Sequence, residues 1–257
     1  GNVEVPEARI RDFLSPMIKA QIERSLSLTF ARKEHGAFGA YCYLNGGAKL
    51  FDLFKSSPNY HPFHGERNLF ADHADTIAKT VEDTERAIVI GQGPWESVEA
   101  KELKLFDRMP NLKRVDFIDI ADEYNKVAVQ KLSKHFNEQS RKVHVISHCV
   151  NYLTGEASKA IEPTQHQTTV ISTGSTFTNP INASFEGLPK VDLAKSLEAF
   201  RDLAGPRNKI LLAYDSNNRK QDLTAAYSSD LLEAFYLNGL RFALESCDTI
   251  KGIDPEK

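Results

Sequence analysis

The chain has 257 residues, 41% of them hydrophobic and 26% charged, which excludes disordered and collagen-like classes. Its 32 basic and 35 acidic residues are interspersed and leave a net charge of -3, which argues against a nucleic-acid partner. There is no apolar run of the roughly 20 residues that a membrane-spanning helix needs. Residues 1–11 lack the apolar core of a signal peptide, and three widely spaced cysteines do not read as a disulfide framework. The expectation is a cytoplasmic protein that does not engage a membrane.

In chain order, Ser15-Pro16 opens a helix with Ser as cap and Pro in the first turn, and Met17, Ile18, Ile22 and Leu26 give it one apolar face. Five short runs then read as strands: 87–91 (AIVIG), 114–120 (RVDFIDI), 142–148 (KVHVISH), 168–174 (TTVISTG) and 209–215 (KILLAYD). Each is rich in β-branched or large apolar residues and too short for a buried helix. Helical spacing separates them. Tyr124, Ala128, Leu132 and Phe136 form one row; Leu193, Leu197 and Phe200 form another, stopped by Gly205-Pro206. Residues 223–244 are helical and apolar, with a break at Ser228-Ser229.

Strands alternating with helices predict a Rossmann-like, doubly wound α/β fold, its mostly parallel sheet covered by helices on both faces. The core spans 66–215, and residues 1–65 and 216–257 build a helical layer from both chain ends. Ligands of such sheets bind at the carboxyl ends of the strands. The first strand ends in Gly91-Gln92-Gly93, a turn that lets backbone approach a ligand, although a plain strand–helix turn also uses glycine. The second ends with Asp119, a carboxylate able to accept both hydroxyls of a ribose; as a helix cap, Asp122 reads better. This pairing suits nicotinamide cofactors and S-adenosylmethionine alike. Glu96 stands where the dinucleotide fingerprint has its third glycine, which favours the methyl donor. The fourth strand runs into a small polar loop, Thr173 to Pro180, in which Asn179 can hydrogen-bond an amine.

Four segments carry a resemblance. Residues 43–66 (YLNGGAKLFDLFKSSPNYHPFHGE) show a Tyr, a Gly-small-x-Leu-Phe run, Pro-x-Tyr-x-Pro and Glu. Residues 174–179 read GSTFTN, Asp215 precedes Tyr227 by twelve positions, and 235–240 read FYLNGL. Together they resemble the S-adenosylmethionine-dependent histidine Nα-methyltransferases of ergothioneine biosynthesis, whose relatives include fungal dimethylallyltryptophan N-methyltransferases. The resemblance implies a class I methyltransferase sheet and transfer to the amine of an amino acid or related small molecule. It implies that Tyr43, Gly91, Gly93, Asp119, Gly174 and Ser175 hold S-adenosylmethionine. Asn179 and Tyr227 would orient the amine, with His61 where the family has a second tyrosine. Three family positions differ: Val89 replaces an acid before the glycine turn, Ser97 a lysine after it, and Cys149-Val150 an acid–aromatic pair that contacts adenine. These departures keep an alternative open, an impaired methyltransferase-fold protein acting as a binding or regulatory subunit.

Other signals carry less. His61, His64 and His73 do not match a structural zinc spacing. Cys149 and His148 point to opposite faces of a strand, so they do not form a nucleophile pair. Trp95 sits in the loop after the first strand, and the sequon at Asn182 has no secretory context. Helix follows Asp215 where class I sheets add two more strands. The expectation is therefore an uncovered fifth-strand edge, completed by a homodimer or a partner subunit.

Overall fold

A computed structural model describes Arg24, Gly39 and residues 42–44, 46–153, 155–162, 164–179, 191–206 and 208–246. The helix expected from Ser15, with Met17, Ile18, Ile22 and Leu26, and the sequon at Asn182 lie outside these residues. The described elements, in chain order, are α1 (Gly47–Lys55), α2 (His61–Thr80), β1 (Arg86–Ile90), α3 (Trp95–Ala100), α4 (Glu102–Phe106) and β2 (Arg114–Ile118). Then come α5 (Asp122–Glu138), β3 (His144–His148), α6 (Gly155–Ala160), β4 (Thr168–Ser172), α7 (Leu193–Ala204), β5 (Lys209–Leu212), α8 (Lys220–Tyr227) and α9 (Asp230–Ser246).

Two compact units result. The larger comprises Pro62–Thr178 and Leu193–Ser216 and holds all five strands. The strand order is β3-β2-β1-β4-β5, with every pairing parallel, so strands are added first on one side of β1 and then, from β4, on the other. Period-two alternation sends successive side chains to opposite faces. Ala87, Val89, Val115, Phe117 and Ile171 pack with Trp95, Leu105, Leu132 and Phe136 on one face. Ile88, Ile90, Ile118 and Val170 pack with Ala157, Phe200 and Leu203 on the other. Burial on both faces is why these strands read as unbroken apolar runs. Within the second face, Asp116 accepts hydrogen bonds from Arg86 Nε (2.7 Å), Arg114 and His148 Nε2 (2.9 Å). Among the described residues β5 pairs only with β4.

Several boundaries differ from the sequence expectation, each for a physical reason. β2 stops at Ile118 because Asp119 Oδ1 accepts the Ala121 N–H at 2.9 Å and turns the chain into α5. Asp122 is therefore not the cap; it lies in the first turn and pairs with Lys126. β4 stops at Ser172, ahead of two left-handed residues, Gly174 (φ 63°) and Ser175 (φ 64°). On α5 the buried row is Asn125, Ala128, Leu132 and Phe136. Helix α7 buries Ser196, Phe200, Leu203 and Ala204, whereas Leu193 and Leu197 are exposed. Helical spacing names a row without showing which neighbouring row faces the sheet. Trp95 does not sit in an exposed loop; it opens α3 and is buried, with Lys131 Nζ 5.8 Å from its ring centre.

The second unit comprises Gly1–His61, Asn179–Asp192 and Asn217–Lys257. Its described core joins Cys42, Leu50 and Phe54 to Leu232 and Phe235 of α9. Asn238 Nδ2 donates to the Leu44 carbonyl at 2.7 Å and fixes α9 against the turn before α1. The break between α8 and α9 falls at Ser228-Ser229, as the sequence indicates. No helix among the described residues is long and apolar enough to cross a membrane.

Candidate active site

The parallel register aligns Ile90, Ile118, His148 and Ser172 at the carboxyl edge of the sheet. The residues that follow them are the candidates. After β1, Gly91 and Gly93 have φ 63° and 64°, a region that favours glycine. A Cβ at Gly91 would lie 2.5 Å from Thr176 Oγ1 and Cγ2, so the turns after β1 and β4 touch there. At Gly93 a Cβ would have no atom within 4 Å, so this glycine borders open space.

Asp119 lies directly after β2. Its Oδ2 accepts the Gly93 N–H at 3.3 Å and its Oδ1 the Ala121 N–H. Burial pushes its carboxyl up to about 6, against the pull of the backbone N–H groups of Ala121, Gly93 and Ile120. Beneath the turn, Gln92 points inward and its Nε2 donates to Asn125 Oδ1 at 2.8 Å. Asn125 Nδ2 donates onward to the Asp119 carbonyl at 3.0 Å. The glycine turn, α5 and the end of β2 thus hang on one buried amide pair, which the sequence reading passed over because both residues look like ordinary helix and loop polar positions.

After β4, Gly174 gives its N–H to Glu66, at 2.9 and 3.1 Å from the two carboxylate oxygens. This leaves the carbonyl as the group Gly174 can offer a ligand. Ser175 completes the left-handed pair, and Thr176 Oγ1 donates to the Gly91 carbonyl at 3.4 Å. Ser97 is buried in α3. The lysine that reaches this end of the sheet is Lys101, whose Nζ lies 2.8 Å from Glu66 Oε2.

In the second unit, Tyr43 packs edge-on against Phe51 and Phe235, each ring centre 4.9 Å away. Tyr227 packs edge-on against Tyr60 at 5.6 Å, and Phe54 packs against Tyr60 at 4.5 Å with its ring tilted by 49°. Tyr43 and Tyr227, distant in sequence, therefore belong to one aromatic cluster. His61 follows Tyr60 and has Nε2 3.4 Å from Asn217 Nδ2. That amide is oriented by the Arg219 N–H on its oxygen and by Asp222 on its nitrogen. Asn179 is exposed.

Residues 20–256 match the model of a family described as histidine-specific methyltransferase, SAM-dependent. The chain belongs to this family. No curated protein matches it. The five-stranded parallel sheet with order 3-2-1-4-5 is typical of the class I methyltransferase fold. The protein is accordingly an S-adenosylmethionine-dependent methyltransferase.

The residues at the strand ends fit the methyl donor this family uses. Gly93 borders open space that a ligand can occupy, and the backbone N–H groups on Asp119 leave at least one of the roughly four lone-pair positions of its carboxylate for a ribose hydroxyl. The chemistry after β3 is plainer. Cys149 Sγ donates to the Ile120 carbonyl at 3.4 Å, and burial pushes its thiol up to about 11, so it carries no charge near neutral pH. Val150 packs in the apolar cluster beneath β1 and β4 and offers only apolar surface.

Proposed function

We propose that this methyltransferase acts on the amine of an amino acid or a related small molecule. The observation that carries the reading is the tie between the Gly91-Gln92-Gly93 turn and Asp119 at the carboxyl edge of a parallel sheet, in a chain of the histidine-specific family. In this reading residues 66–215 carry most of the donor site, and residues 1–65 and 216–257 are a helical cap that supplies part of the substrate-binding region. Asp119 receives the ribose hydroxyls, Gly91 and Gly93 admit the donor close to backbone, and Tyr43, Gly174 and Ser175 line its amino-acid end. Ser97, Cys149 and Val150 border the site. Bound there, S-adenosylmethionine supplies an electrophilic methyl group on a sulfonium sulfur.

The chain's own contribution is alignment and proton handling. Asn179, Tyr227 and His61 orient the acceptor amine so that its lone pair lies in line with the methyl group. Only the neutral amine has that lone pair, so the site must also let an ammonium proton leave before transfer. Incubation with S-adenosylmethionine and a panel of amines, L-histidine first, followed by mass spectrometry, tests the reading. An N-methylated product formed in step with S-adenosylhomocysteine supports it. Methyl transfer to carbon or oxygen contradicts it.

A further inference from the structure

Beneath the turn after β4 lies a polar network that branches from Lys101, buried at Lys101, Thr173 and Glu102 and reaching the surface at Gly174. The Gly174 N–H donates to both oxygens of Glu66, from α2. Lys101 Nζ donates to Glu66 Oε2 and to Thr173 Oγ1, both at 2.8 Å. The Thr173 hydroxyl donates to Glu102 Oε1 at 2.6 Å. The Lys101 side chain is 4% exposed, that of Glu66 11%, and Glu102 is fully buried. Lys101 is also the hinge between α3 and α4, with φ -128° and ψ -84°.

A buried ion pair is a poor way to stabilise a fold, because apolar residues of similar volume usually do as well or better. What the pair does here is local. Gly174 and Ser175 are consecutive left-handed residues, and Ser175 holds that conformation as an L residue. Such a turn relaxes unless something outside it grips its backbone. Glu66 grips it by the Gly174 N–H, and Lys101 fixes Glu66 while reaching Thr173 on the same turn. The turn in its present shape brings Thr176 against Gly91, at the first glycine of the other loop.

We propose that Glu66 and Lys101 are positioning residues for the methyl donor, acting as a unit through the Gly174 turn. The inference rests on the donor-site reading above. Holding the turn in the free protein removes an ordering step from donor binding, so affinity depends on the pair more than stability does.

The test uses the full chain, calorimetric titration with S-adenosylhomocysteine, and thermal unfolding of each variant. Glu66→Gln and Lys101→Met should each weaken binding about tenfold or more, and the double variant should bind no more weakly than the weaker single. Arg86→Met breaks a different buried pair, at the amino end of β1, and serves as the control. It should lower Tm at least as much while leaving the dissociation constant within about twofold. Binding by Glu66→Gln or Lys101→Met equal to wild type overturns the inference and leaves the donor-site reading standing. So does a control whose affinity falls with its Tm. Failure of the wild type to bind S-adenosylhomocysteine overturns the donor-site reading and this inference together.

Discussion

The carboxylate of Asp119, at the end of β2, accepts the backbone N–H of Gly93 from the turn after β1 at 3.3 Å. Its ionisation therefore matters to both the loop and any ligand there. Burial pushes its carboxyl up to about 6, above the unfolded value near 4. Stability from this group is thus full below about pH 4 and declines as pH rises through about 6. Donor binding runs the other way, because ribose hydroxyls need the ionised acceptor. Affinity for S-adenosylhomocysteine should rise between pH 5 and 7 and level off above, and Asp119→Asn should flatten the profile. Titrations at several pH values check this; an equally steep profile in the variant assigns the dependence elsewhere.

The two glycines of the β1 turn should differ in their tolerance of alanine. Both have left-handed backbones, which carry a penalty of about 1–2 kcal/mol for an L residue. Only Gly91 adds a collision, with Thr176 at 2.5 Å. Gly91→Ala should lower Tm more than Gly93→Ala, and Thr176→Ala in the Gly91→Ala background should recover part of the loss. Thermal unfolding of these variants, of Thr176→Ala alone and of the wild type measures the coupling.

The sheet was legible because strands buried on both faces write themselves as short β-branched runs, and the first glycine and Asp119 stand where such runs end. Side-chain partnerships were not. Lys101 finds Glu66 and Gln92 finds Asn125 across more than thirty residues of chain, and each looks like an ordinary surface residue when read locally. The cap of α5 was misplaced for a related reason. Asp122 has the right residue type, but the chain turns three residues earlier, at Asp119, because its carboxylate reaches the Ala121 N–H. Spacing likewise could not say that Leu193 and Leu197 face outward while Ser196 and Phe200 face the sheet.

Asp116 should be a site of stability, separate from donor binding. Burial opposes its charge, but hydrogen bonds from His148, Arg86 and Arg114 hold its carboxyl well below the usual carboxylate range. The stability it contributes is complete above about pH 4 and is lost progressively as pH falls below that value. Asp116→Asn leaves Arg86 without its buried counter-charge and should cost about 3–5 kcal/mol. Denaturant unfolding at neutral pH checks the loss, and the variant should show a shallower acid-side decline than the wild type.

The acceptor residues should separate from the donor residues in their kinetic effects. Asn179→Ala and Tyr227→Phe, both proposed to hold the amine, should lower turnover on the order of a hundredfold when alignment is lost. The dissociation constant for S-adenosylhomocysteine should stay near the wild-type value in both. Unchanged turnover in the double variant, or a defect confined to donor affinity, sinks the acceptor assignment.

The central claim, that the methyl donor sits on the glycine turn with its ribose against Asp119, is tested most directly by calorimetric titration of the wild type and Asp119→Ala with S-adenosylhomocysteine at pH 7.5. Loss of a charged acceptor for buried hydroxyls is worth about 1.5–3 kcal/mol, so affinity should fall roughly ten- to hundredfold. Equal dissociation constants for the two proteins would contradict the account.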